Sequence, residues 1–302
     1  MTAIFIEAVG GLTSGYLIDA IHSAGYRCIG SDISAASAGA VRVDAFVELP
    51  TYDDPALWDA VTSALTQHRV SLVIPTFDEM LSGWSARRED FKAMGVEVLI
   101  SPQETVNQCV DKWQTAQLFA RAGLPAPATS LQPTYALFKP REGRGSTGIY
   151  QATDEQRASG ALPQGYISQQ VVSGVEYTID CLFDAQGEPI YIVPRRRLQV
   201  KDGKSLGGVV EAQPAIVKYI KQLATTVQFC GPINVQCFVD GDDIWFIEIN
   251  PRLGGGSGLG MAATENWIPL FVKHWCEGKG LSADAPVQYG MRMFRQYREV
   301  YQ

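Results

Sequence analysis

Glu248 and Asn250 stand two residues apart in the apolar run Ile244–Asn250, and strand alternation puts both on one face. Oxygen atoms so placed suit Mg²⁺, which takes a few protein ligands and completes its octahedron with water and nucleotide phosphates. Gln236, in the preceding run Ile233–Val239, would add an amide oxygen from the facing strand. A carboxylate set between Ile247 and Ile249 is costly to bury without a partner, so a metal or cation beside it is expected. Arg252 and the run Gly254–Gly258 follow at once, a planar guanidinium fork next to backbone donors that can approach an anion closely. Upstream, Lys139 ends a strand-like run and opens the loop Arg141-Glu142-Gly143-Arg144-Gly145-Ser146-Thr147-Gly148. Such a loop can fold its amide groups around a polyphosphate while the lysine neutralises charge; a hairpin tip is the alternative reading. Lys112 lies just inside another helix, where a single lysine otherwise means a solvated face.

These residues need elements to hold them. The first hundred residues alternate β-branched runs with amphipathic stretches, the pattern of βαβ units around a parallel sheet. Strands are expected at Ala3–Glu7, Arg27–Ser31, Leu72–Pro75 and Val96–Ile100, and helices at Ser14–Ala24, Pro55–Gln67 and Met80–Ala93. Ser101-Pro102-Gln103-Glu104 has the form of a capping box, and Asp111 is expected to cap a helix running to Gly123. Beyond Leu124-Pro125-Ala126-Pro127 the runs lengthen: Tyr135–Pro140, Gly165–Val172, Glu176–Phe183, Pro189–Arg197, Ile233–Val239 and Ile244–Asn250. The turn signals Asp184–Gly187 and Asp240–Asp243 predict antiparallel pairs, and helices at Ala215–Phe229 and Met261–Glu277 complete an α+β half.

Other signals are weaker. Gly10–Gly15 follows a strand and precedes a helix but satisfies neither the dinucleotide nor the P-loop spacing, so it reads as a tight turn, with Asp32 another turn residue. Phe77-Asp78-Glu79 closes a strand where open sheets often bind ligands, although an acid pair at a helix start explains it equally. Arg195 and Arg197 share a face; with Lys201 and Lys204 they would form either a solvated patch or a site for an acidic co-substrate. No catalytic role is expected for His22, His68 or His274. The 302 residues, with 46% hydrophobic and 19% charged, describe a folded globular chain of about two domains. A formal charge of −7 argues against nucleic acid as a partner. The six cysteines form no CxxC pair and read as reduced core thiols. With no leader-like start and no bilayer-length apolar stretch, a cytoplasmic protein without membrane contact is expected.

Taken in order, these motifs resemble the ATP-grasp superfamily, in particular its carbamoyl-phosphate synthetase large-subunit and biotin-carboxylase branch. The resemblance implies an N-terminal Rossmann-like βαβ parallel-sheet (pre-ATP-grasp) domain at 1–100, then an ATP-grasp domain at 101–302 with a reduced lid at about 128–170. It implies that Lys112 and Lys139 reach the nucleotide phosphates and that Gly143, Arg144, Gly145, Ser146, Thr147 and Gly148 cover them. Gln170, Val171 and Val172 would pair with adenine, Glu176 with the ribose hydroxyls, and Gln236, Glu248 and Asn250 with Mg²⁺ or Mn²⁺. Arg252, with Lys139, would serve the phosphoryl transfer. The implied activity is an ADP-forming carboxylate–amine ligase. It would work through an acyl phosphate on a small carboxylate and an amine or amino acid, as a stand-alone enzyme, with a homodimer one possible assembly. A phosphotransferase and a non-catalytic nucleotide-binding module are the alternatives.

Overall fold

The computed structural model describes residues 2–11, 13–143, 145, 147–201, 204–296 and 298–301. The first sheet contains β1 (Ala3–Ile6), β2 (Arg27–Asp32), β3 (Ala45–Glu48), β4 (Val70–Ile74) and β5 (Glu97–Val98). Its strands lie in the order β3-β2-β1-β4-β5, all paired in parallel. Chain order reverses direction between β1 and β4, so the crevice beyond their carboxyl ends is the switch point of the sheet. β3 escaped the sequence reading because Ala45-Phe46-Val47-Glu48 is short and has no fully buried residue.

The remaining strands form two antiparallel sheets. The smaller contains β6 (Thr129–Ser130), β7 (Leu137–Pro140), β8 (Tyr150–Gln151) and β9 (Tyr166–Gln169), ordered β6-β9-β7-β8. The helix Asp154–Ala158 follows β8, with a complete capping box between Thr153 and Gln156. The larger sheet contains β10 (Val175–Phe183), β11 (Pro189–Lys201), β12 (Lys204–Val210), β13 (Gly231–Asp240), β14 (Asp243–Asn250) and β15 (Arg292–Phe294). Its order is β14-β13-β10-β11-β12-β15, and both predicted hairpins form, β10 with β11 and β13 with β14. β12 and β15 were not anticipated.

One face of the large sheet is apolar: Tyr177, Ile179, Cys181, Ile233, Val235 and Ile249 pack against the helices Lys112–Arg121 and Pro214–Ala224. A second core joins the large sheet to the first one, with Ile4, Ile6 and Leu17 packed in one cluster with Leu182, Val193 and Trp267.

Several expectations need correction. The helix expected at Met80–Ala93 is a short turn, Asp78–Met80, followed by Leu81–Ala86 and Arg88–Ala93, broken at Arg87 (φ −104°, ψ 6°). The helix expected at Met261–Glu277 is split into Ser257–Ala262, Trp267–Phe271 and a π-helical turn, Val272–Cys276, because Asn266 starts a new helix by accepting from the Ile268 amide. The Ala215–Phe229 helix ends at Ala224, and the strand expected at Val96–Ile100 shrinks to two residues. No capping box forms at Ser101: its hydroxyl is fully buried and exchanges hydrogen bonds with the backbone of Cys230 instead. Asp111 does cap its helix, accepting from the amides of Trp113 and Gln114. Five cysteines are buried as expected, but Cys276 is exposed.

Candidate functional site

Lys139 is the residue around which the site assembles. It lies in the middle of β7, between Phe138 and Pro140, so alternation sends neighbouring side chains to opposite faces. Phe138 meets Tyr150 edge-on at 5.7 Å between ring centroids, beside a 440 Å³ depression lined by the helix Asp154–Ala158 and its flanks. Lys139 takes the opposite face and is 2% exposed. Burial pushes its ammonium down to about 8, an effect eased by the Glu248 carboxylate and reinforced by the Lys112 charge. These influences link three side chains from three elements: Lys112 from the helix behind Asp111, Lys139 from the small sheet and Glu248 from the large one.

The loop after Lys139 is tied to the same helix. Arg141 forms an ion pair with Asp111, the cap of the Lys112 helix, and the Lys112 amide donates to the Arg141 carbonyl at 2.8 Å. Burial opposes the Asp111 charge, but Arg141 and the helix amides outweigh it and hold the carboxyl below its usual range. Lys112 Nζ donates to the Gly143 carbonyl at 2.8 Å. Gly143, Gly145 and Gly148 all have positive φ, and a Cβ on Gly148 would sit 2.8 Å from the Tyr166 hydroxyl. Thr147 is exposed, while Arg144 and Ser146 lie outside the described residues.

Glu248 and Asn250 share a face of β14, as the alternation predicts, and Asn250 Nδ2 donates to Glu248 Oε1 at 3.2 Å. Gln236 stands directly across from Glu248 on β13. Among the described residues no group of three or more His, Cys, Asp and Glu side chains could hold a metal. The expected set offers one carboxylate and two amides. Those hard oxygen donors fit Mg²⁺, with Glu248 as the charged member. As it stands, Asn250 turns its Oδ1 toward Arg252 Nη2 at 3.5 Å.

Arg252, expected to present its fork to an anion, is engaged by protein partners. Its Nε and Nη2 donate to the two carboxylate oxygens of Asp78 at 2.9 and 2.8 Å, and its Nη1 donates to the Leu253 carbonyl at 3.1 Å. Burial works against the guanidinium charge, but Asp78 and Glu248 hold it in place. The sequence flagged Asp78 only as a sheet-end acid and missed Glu7 altogether. Glu7, at the end of β1 and 3% exposed, accepts from the amides of Thr76 and Phe77 and from Trp84 Nε1 at 2.8 Å. Burial raises its carboxyl to about 7, and those three donors only partly offset that. A glutamate closing an apolar first strand was its sole signal.

The remaining expected residues are distributed as follows. Glu176 forms an ion pair with Arg197, and Gln170, whose amide donates to the Ala128 carbonyl at 2.8 Å, leads into irregular backbone at Val171 and Val172. Arg195 and Arg197 do not form an anion patch. Arg195 is 1% exposed and paired with Asp180 inside the sheet, Arg197 is paired with Glu176, and the side chains of Lys201 and Lys204 lie outside the described residues. The run Gly254–Gly258 is used for close packing: a Cβ on Gly256 would come within 2.8 Å of Arg195 Nη1. Its Gly254 amide already donates to Ser257. The first strand-to-helix connection turns locally, the Gly11 amide donating to the Ala8 carbonyl at 2.8 Å, while Asp32 ends β2 and accepts from the Gly10 amide; Leu12 is outside the described residues.

A parallel-sheet unit leading into two antiparallel sheets that bring paired lysines against a carboxylate defines the ATP-grasp architecture. Residues 164–297 match the family model described as ATP-grasp in the biosynthetic pathway with Ter operon, and residues 6–99 match the PylC-like N-terminal domain. These two matches, with the parallel-sheet domain followed by an ATP-grasp fold, support the ATP-grasp superfamily. It is 25% identical over 193 residues to the carbamoyl phosphate synthase large chain of Streptomyces avermitilis, covering 53% of this chain and 17% of that protein. In fold it is similar to the N5-carboxyaminoimidazole synthetase of Staphylococcus aureus solved with ADP (TM-score 0.76, 12% identity, 98% of this chain and 82% of that one). It is also similar to an L-amino acid ligase from Bacillus licheniformis (TM-score 0.69, 18% identity, 92% and 74%). Among the described residues no helix is long and apolar enough to cross a membrane.

Proposed function

We propose that this chain is an ADP-forming carboxylate–amine ligase that activates a small carboxylate as an acyl phosphate and transfers the acyl group to an amine or amino acid. The observation that carries the reading is the buried Lys139 ammonium, which feels both the Lys112 cation and the Glu248 carboxylate. Two lysines beside a single carboxylate leave an excess of positive charge that polyphosphate oxygens would balance. The amino acid ligase among its structural relatives supports the carboxylate and amine classes.

In this reading ATP lies between the two antiparallel sheets. Lys112 and Lys139 hold its phosphates, the 143–148 loop covers them, and Gln170–Val172 and Glu176 receive the adenosine. Glu248, with Gln236 and Asn250, would hold Mg²⁺, which supplies charge neutralisation at the phosphates when bound. Arg252 steadies the phosphoryl group during transfer, where a planar fork matches the equatorial oxygens. The domain division at 100, a cytoplasmic setting, a possible homodimer and small-molecule partners belong to the same proposal. Product analysis tests it: ATP should yield ADP and phosphate, and added hydroxylamine should trap an ATP-dependent hydroxamate with the true carboxylate. AMP with pyrophosphate overturns the reading; a stable phosphate ester without hydroxamate makes the protein a phosphotransferase, and binding without ADP formation makes it a nucleotide-binding module.

A further inference from the structure

We propose that Asp78 is a positioning residue for Arg252, through which the switch point of the N-terminal sheet sets the geometry of phosphoryl transfer on the other sheet. This rests on the role given to Arg252 above. A guanidinium has five N–H donors in a fixed plane. Among the described residues, Nε and Nη2 are taken by the two oxygens of Asp78, Nη2 also lies 3.5 Å from Asn250 Oδ1, and Nη1 donates to the Leu253 carbonyl. The bidentate pair fixes both the plane and the rotation of the fork and, with Nη1 also donating to Leu253, leaves one Nη1 N–H to point at a transferred group. An arginine held on one edge by a carboxylate loses little rotamer freedom when it meets a phosphoryl group with the other, so its interaction is prepaid in the folded state.

Asp78 is itself built to stay where it is. It begins the short turn Asp78–Met80 directly after β4, and the two amides just before it, those of Thr76 and Phe77, donate to the buried Glu7 carboxylate. The Thr76 hydroxyl donates to the Glu7 carbonyl at 2.6 Å, and Trp84, fully buried, closes the far side of the carboxylate. β1 and β4 are thus stitched together at the point where the chain order of the sheet reverses, and the carboxylate that emerges there reaches a residue 174 positions later in the sequence. Both side chains are largely covered, Arg252 at 13% and Asp78 at 20% exposure, so solvent screens the pair weakly. With this contact the N-terminal domain becomes part of the transfer machinery as well as a neighbour of it.

The test combines kinetics with a direct view of the guanidinium. Asp78→Asn, Arg252→Ala and the double variant are compared for MgATP affinity by calorimetry and for single-turnover ADP formation with protein in saturating excess over MgATP and water as the acceptor. Asp78→Asn should slow ADP formation by ~10–10²-fold at nearly unchanged ATP affinity, Asp78→Glu should restore part of the rate, and Asp78→Asn should add little to Arg252→Ala. In the wild-type protein the Arg252 Nε–H resonance should be protected from solvent exchange, and Asp78→Asn should expose it. Full-rate Asp78→Asn beside a slow Arg252→Ala, independent losses in the double variant, or a faster Asp78→Asn that marks the contact as a brake would each overturn the positioning role alone. An Arg252→Ala protein with normal turnover would instead remove the role of Arg252 on which it rests. Rapid exchange of the wild-type Nε–H overturns the proposal without any variant.

Discussion

Asp180 and Glu248 are carboxylates on the same face of the same sheet, in neighbouring cross-strand rows, Asp180 opposite Asn234 and Glu248 opposite Gln236. Their surroundings differ in completeness. Asp180 is fully buried and accepts from Arg195, from Asn234 Nδ2 at 2.8 Å and from the Ser257 hydroxyl at 2.6 Å. The glycine-rich turn closes over it so tightly that a Cβ on Gly260 would lie 2.5 Å from its Oδ2. Glu248 has the Asn250 amide as a hydrogen-bond donor and feels Lys139 across the junction of two sheets. A buried charge whose acceptors are all used within the fold serves architecture, whereas a half-buried one with acceptor capacity left beside cations is suited to a ligand. The arginines do not repeat the contrast: Arg195 is enclosed with its carboxylate and keeps a buried Nη1 without a hydrogen-bond partner among the described residues, whereas all three nitrogens of Arg252 donate.

Asp180→Ala should produce the largest change, because it leaves the Arg195 cation buried without its partner. A loss of ~3–5 kcal/mol is expected from denaturant unfolding, and a nearly unchanged midpoint would erase the contrast with Glu248. Glu248→Gln should keep the wild-type unfolding midpoint while lowering Mg²⁺-dependent turnover by ~10²-fold or more, ~2.7 kcal/mol in barrier terms. Equal damage to stability would move Glu248 into the architectural class. Lys139→Met should weaken ATP binding ~10-fold, about 1.4 kcal/mol, since the ammonium would act on phosphates present in the ground state. Unchanged affinity by calorimetry would take Lys139 out of the nucleotide site.

The remaining expected effect is a slope. Burial raises the Glu7 carboxyl from 4.5 to about 7, so the folded chain binds a proton more tightly than the unfolded chain between those values. That contribution to stability is present below about pH 4.5 and is lost as pH rises through 7. It amounts to at most about 1.4 kcal/mol per pH unit for one proton. Glu7→Gln should flatten this part of the profile of unfolding midpoint against pH, and an unaltered profile would show that Glu7 is not the group responsible.

Local spacing in the sequence determined a great deal. Alternation along Ile244–Asn250 placed Glu248 and Asn250 on one face, because successive strand side chains must point to opposite sides. Asp111 was legible as a cap because its carboxylate meets amides two and three residues ahead, and both hairpins were legible from their turn residues. Helix breaks were less legible, since the apolar period of Met261–Glu277 continues across the point where Asn266 restarts the helix.

Only the tertiary structure decided which charged residues are paired with one another. Arg195, Arg196 and Arg197 are adjacent in sequence, yet Arg195 and Arg197 meet Asp180 and Glu176 on β10 while Arg196 meets Glu211 just beyond β12. Nothing local distinguishes Arg195, which is enclosed, from Arg196 beside it, which stays partly exposed, because the difference comes from the partner brought to each. Asp78 lies 174 residues from Arg252, and Ser101 is 129 from Cys230. Such contacts depend on how two sheets are docked through their shared apolar core, and the free energy of docking belongs to the assembled faces and not to any segment of the chain.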